Sequence, residues 1–60
     1  MASYRCYFLN NEGHIVGVHE LPECRSDDEA RRIALTMLIQ GNHGGVAVWE
    51  RDRKVYEAMA

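Results

Sequence analysis

Two apolar-rich runs open the chain, Tyr4–Leu9 (YRCYFL) and His14–Leu21 (HIVGVHEL), and Pro22 closes the second. Between them stand the turn formers Asn10-Asn11-Glu12-Gly13. Two β-type runs joined by a four-residue loop containing Asn and Gly predict a hairpin. Gly17, inside the second run, would weaken a central strand and predicts a bulge or an edge position.

The spacing then changes to that of a helix. Ser26-Asp27-Asp28-Glu29 reads as a capping box. In it the Ser26 hydroxyl accepts from the Glu29 N–H and the Glu29 carboxylate reaches back to the Ser26 N–H. Three acids in the first turn suit the positive end of the helix dipole. Ala30, Ile33, Ala34, Met37 and Leu38 form one apolar stripe, with an Asp28–Arg32 pair expected on the outer side. Gly41 stands at the C′ position, and Asn42-His43-Gly44-Gly45 forms the exit loop. The helix is expected over Asp27–Gln40. Two further β runs follow, Val46–Glu50 and Lys54–Ala58, joined by Arg51-Asp52-Arg53 without a glycine.

The order ββαββ with a single-striped helix predicts an α+β two-layer sandwich, a four-stranded antiparallel sheet with one helix on one face. Placing strand one between strands two and three makes every neighbour antiparallel and gives the order 2-1-3-4. The sequential order 1-2-3-4 would need a parallel pair and ranks second. Alternation assigns Cys6, Phe8, Val16, Val18, Val46 and Val48 to the helix side. It leaves Tyr7, Leu9, Ile15, Trp49 and Tyr56 on the opposite face. A one-helix sandwich ordinarily has a polar outer face, so apolar side chains there point to an interaction surface.

Size strengthens that expectation. Sixty residues make one small domain. Unfolded, such a chain exposes roughly 10,000 Å² and buries roughly 60% of it on folding. At about 25 cal/mol per Å² of apolar area this gives about 85–90 kcal/mol. Ordering the chain costs about 90 kcal/mol at about 1.5 per residue. The near cancellation favours a staple or a partner subunit. A Cys6–Cys24 disulfide would add about 3 kcal/mol in the chain-entropy model. With no secretory signal visible at the N-terminus, two reduced thiols in a cytoplasmic protein are the preferred reading.

Charge and chemistry narrow the rest. Seven basic and nine acidic residues leave a net charge of −2, which offers no broad field for nucleic acid or anionic lipid. No apolar stretch is long enough to span a membrane. His14, His19 and His43 with Cys6 and Cys24 lack zinc-site spacing, apart from His14-x₄-His19, whose side chains point to opposite faces of a strand. A Cys24–His43 nucleophile pair would need a third orienting group and a cleft that so small a domain hardly affords. No cofactor, metal or catalytic activity is expected. Tyr7, Trp49 and Tyr56 with Arg5 could stack single-stranded bases, and Arg51, Arg53 and Lys54 cluster in the last hairpin. Three acids balance these three bases over residues 42–60, which favours a solvated edge.

Tyr4-Arg5-Cys6-Tyr7-Phe8-Leu9, Gly13-His14-Ile15, Asp27-Asp28-Glu29-Ala30 and Val48-Trp49-Glu50-Arg51 with Arg53 and Val55 resemble a group of very short bacterial proteins without an assigned activity. The resemblance implies a cytoplasmic bacterial protein. Leu21-Pro22-Glu23-Cys24 and Ser26-Asp27-Asp28-Glu29-Ala30 are similar to the hairpin end and helix start of HicB-type antitoxins. That likeness implies a small protein partner. The chain lacks the DNA-binding segment that many such antitoxins append, and the stretch from Cys24 to the helix is shorter. The leading expectation is a non-enzymatic interaction module that forms a homodimer through the outer sheet face. The alternatives are an antitoxin-like protein with a small protein partner, or a single-stranded nucleic-acid binder.

Overall fold

A computed structural model describes residues 3–41 and 43–60. The elements run β1 (Tyr4–Leu9), β2 (Ile15–Leu21), α1 (Asp27–Gln40), β3 (Gly45–Glu50) and β4 (Arg53–Met59). They form one antiparallel sheet of order β2-β1-β3-β4 with a single helix, as the pattern predicts. Asn42 and the first two residues lie outside the described residues. The accessible surface of 4278 Å² leaves about 57% of the roughly 10,000 Å² of the unfolded chain buried, close to the expectation for this size.

The first turn follows from Asn10. Its Oδ1 accepts from the backbone N–H groups of Glu12 and His14, each at 2.9 Å. Its own backbone N–H donates to the His14 carbonyl at 2.9 Å. Gly13, at φ 84°, takes the left-handed conformation that closes this loop. Gly44 meets a different demand. An added Cβ there would lie 2.4 Å from the Asn10 carbonyl carbon, so the exit loop packs backbone to backbone against the hairpin. Its N–H donates to the Leu9 carbonyl at 2.8 Å.

The helix begins as its cap predicts, with one difference. Ser26 Oγ accepts from Glu29 N–H at 3.2 Å. The Glu29 carboxylate accepts instead from Arg25 N–H, at 2.7 Å, one residue before the expected Ser26. On the surface Asp28 pairs with Arg31 at 3.4 Å in place of Arg32. At the other end, Gly41 is extended (φ −92°, ψ 165°), not left-handed, and its N–H closes the helix on the Met37 carbonyl.

The apolar stripe is where the pattern places it. Ala30 and Ala34 are buried with Tyr4, Cys6, Leu21, Cys24, Val46 and Val48, and Ile33, Met37 and Leu38 pack against this cluster. The helix backbone approaches β3 and β4 closely and stands farther from β1 and β2. The sheet is therefore unevenly covered.

Two bulges correct the expected faces. Between β1 and β2 the register runs Tyr7↔Val18, Phe8↔Gly17, then Leu9↔Ile15. Val16 is the extra residue, and Val18, opposite Tyr7, lies on the outer face, not the helix side. One inserted residue reverses every later side chain of a strand. Between β3 and β4 the register runs Val48↔Tyr56 and then Trp49↔Lys54, leaving Val55 unopposed. Tyr56 thus shares the face of Val48 and packs against the helix-side core, contrary to its expected place on the outer face.

Candidate interaction surface

The registers build the outer face in three cross-strand rows. The first is Glu20, Arg5, Trp49 and Lys54; the second is Val18, Tyr7, Ala47 and Glu57; the third is Ile15, Leu9, Gly45 and Met59. Polarity falls from the first row to the third. Four of the five expected surface residues, Tyr7, Leu9, Ile15 and Trp49, share this face, and Tyr56 does not.

Their exposure differs from what alternation suggests. Ile15 is open at 62%, whereas Tyr7 and Trp49 are half-buried and Leu9 is buried at 5%. Leu9 and Ala47 are buried yet stand outside the helix-side cluster, so the outer face holds a small apolar cluster of its own. Met59 helps to make it: its Sδ occupies the space a Cβ at Gly45 would fill. Val18 and Met59, which the sequence reading missed here, are exposed members of this face. The lost signal was register. Val18 is recovered only if the bulge is placed at residue 16.

Charges on this face pair with one another. Arg5 Nε lies 3.5 Å from Glu20 Oε1 across the β1–β2 ladder. Lys54 Nζ pairs with Glu57. Residues three apart on a regular strand point to opposite faces, and the Val55 bulge is what brings these two together. A shallow depression of about 610 Å³ over β1 and β2 is lined by Arg5, Tyr7, Val18, His19, Glu20 and Pro22.

A second charged group sits at the opposite edge and is structural. Tyr4 Oη donates to Asp27 Oδ1 at 2.6 Å. Arg53 grips both Asp27 oxygens, at 3.0 and 3.1 Å, and also bonds Glu50. The Arg53 and Tyr4 hydrogen bonds pull the Asp27 carboxyl down to about 2. The bond to Asp27 and burial push the Tyr4 phenol up to about 12. This clamp ties β1, the helix start and the β3–β4 hairpin together. It also occupies Arg53, one of the three bases considered for nucleic acid.

On the helix side a groove of about 420 Å³ runs beside β2, where α1 stands away from the sheet. His19, Leu21, Cys24, Ile33 and Met37 line it, with Glu20 and Glu23 among its wall residues. Cys6 and Cys24 are both buried free thiols. Burial raises the Cys6 thiol to about 11. Burial and then the carboxylates of Glu29 and Glu23 raise Cys24, so both are protonated and poorly nucleophilic at neutral pH. His43 stacks on Phe8, with centroids 4.2 Å apart, and does not serve Cys24 as an orienting base there.

No family model matches the chain, and no curated protein or solved structure shows significant similarity to it. No helix among the described residues is long and apolar enough to cross a membrane.

Proposed function

We propose that the protein is a non-enzymatic interaction module that associates with a second copy of itself, outer face to outer face. The observation that carries this reading is where exposed apolar bulk gathers. Of the five large apolar residues left open among the described residues, Ile15, Val18 and Met59 lie on the outer face, Val16 lies at its β2 bulge, and Ile39 alone lies elsewhere. Scattered exposure needs no explanation, but a contiguous set marks a contact surface.

Charge favours a second copy over a charged partner. Arg5 and Lys54 are matched by Glu20 and Glu57, so the face is neutral. A two-fold arrangement sets each pair beside its symmetry mate without net repulsion. Four strands at about 4.8 Å spacing and six residues at about 3.4 Å rise outline roughly 400 Å² of sheet. That is small for a stable interface and fits a weak, concentration-dependent dimer.

Sedimentation velocity from about one to several hundred micromolar tests the reading. The native chain is expected to shift from monomer toward dimer over that range. Val18→Glu should hold it monomeric while retaining the native circular dichroism, and Ile39→Glu on the helix should leave the shift unchanged. A native chain that stays monomeric throughout refutes self-association. Salt-sensitive quenching of Trp49 by a single-stranded oligonucleotide would favour the nucleic-acid alternative instead.

A further inference from the structure

We propose that the free edge of β2 and the groove beside it take up an extended, lysine- or arginine-bearing segment of a partner protein as a fifth strand. This site shares Ile15, Val18 and Glu20 with the outer face but does not depend on self-association.

Three observations converge on it. First, β2 and β4 are the two sheet edges, and they are protected differently. β4 carries three charges that blunt an edge, Arg53, Lys54 and Glu57, whereas β2 carries one, Glu20, and neither Lys, Arg nor Pro between Ile15 and Leu21. Second, β2 exposes its side chains on both faces, with Val16 and Val18 open at 63% and 54%. An added strand alternates its residues between such faces, so main-chain bonds supply affinity and side pockets supply selection. Third, the helix-side pocket is already formed. Leu21, Cys24, Ile33 and Met37 give it an apolar lining, and its volume of about 420 Å³ has room for a branched aliphatic side chain.

Charge fixes the kind of segment. Glu23 and Glu20 are the charged wall residues, Glu20 with Arg5 at 3.5 Å on its outer side, and no Lys or Arg lines the groove. Glu29 adds to the negative field felt at Cys24. The basic side of the helix faces the other way, where Arg31 and Arg32 line the depression next to Tyr56. An acidic segment would meet repulsion at β2, and a cationic one would be drawn there.

The test uses two synthetic nine-residue peptides with a common core of five alternating valines and threonines. One core is flanked by paired lysines and the other by paired glutamates. Each is titrated into the labelled full chain at a concentration where sedimentation shows only monomer. The lysine peptide is expected to move backbone amide signals along Ile15–Leu21 and the methyl signals of Ile33 and Met37. It should bind about tenfold more tightly than the glutamate peptide. The double variant E20Q/E23Q should bring the two peptides close to parity. A lysine peptide N-methylated at every core residue should lose binding, because neither edge of its ladder can then donate. Equal binding of the two peptides by the native chain, retention by the N-methylated peptide, or shifts confined to Tyr7 and Trp49 would each overturn the proposal. So would concentration-dependent broadening along β2 without peptide that spares Tyr7, Trp49 and Met59, which would give the edge to a second copy.

Discussion

The two hairpins of this sheet are built from similar strands and end in unlike environments. In β3, Val46 and Val48 are fully buried under the helix. In β2, Ile15, Val16 and Val18 are each more than half exposed, although IVGVHEL and GVAVWE each carry four apolar side chains. What separates them is face and place in the sheet. Val46 and Val48 point to the helix from a strand paired on both sides, whereas the β2 bulge puts Ile15 and Val18 on the outer face of an edge strand. In a domain this small a single helix does not roof four strands. Stability and exposed binding surface are thereby assigned to opposite sides of the same sheet.

Truncations give the largest test of that contrast. Val48→Ala is expected to lower stability by about 2 kcal/mol in urea denaturation, because it removes two buried methyl-equivalent contacts and leaves a gap beneath the helix. Val18→Ala should stay within about 0.5 kcal/mol of the native chain. Similar losses at the two positions would mean that the outer face packs Val18 as closely as the helix packs Val48.

The pH dependence sharpens the same contrast at the β3–β4 side, where the Asp27 clamp sits. The Asp27 carboxyl is held at about 2, below its ordinary value near 3.8. Its stabilisation is therefore complete above about pH 4 and is lost as pH falls through about 2. Melting temperatures should decline across that window, and Asp27→Asn should flatten the decline while lowering the plateau. The Tyr4 phenol moves the opposite way. Held neutral up to about 12, it stabilises below its ordinary value of 10 and stops doing so as pH rises through 12. Tyr4→Phe should remove that alkaline loss.

The smallest effect belongs to the turn between β3 and β4. Arg51 sits at φ 57°, a region that costs a side-chain-bearing residue roughly 1 kcal/mol. Arg51→Gly should raise stability by no more than about 1 kcal/mol in the same urea assay, since glycine also loses more entropy on folding.

Much of this architecture was legible in the chain. Ser26 and the acids behind it mark the helix start, Asn10 and Gly13 mark the first turn, and antiparallel pairing alone selects the order β2-β1-β3-β4. The faces were only half legible. Tyr7, Leu9, Ile15 and Trp49 could be placed by alternation because no bulge intervenes within their stretches. Val18 and Tyr56 could not. Gly17 signals irregularity, yet the inserted residue is its neighbour Val16, and nothing in Lys54-Val55-Tyr56 marks a bulge at all. Exposure was less legible still. Leu9 is an outer-face residue that its own neighbours bury, a property of three strands together and of no local pattern.

Val55 has a consequence for how this chain tolerates changes in length. Dropping that one position would bring Tyr56 directly after Lys54 and still opposite Val48, so a regular ladder would keep Tyr56 beneath the helix and Glu57 on the outer side. Dropping a paired position such as Glu57 would instead turn Ala58 and Met59 over, so residue 55 is the place in β4 where a lost residue should be best tolerated.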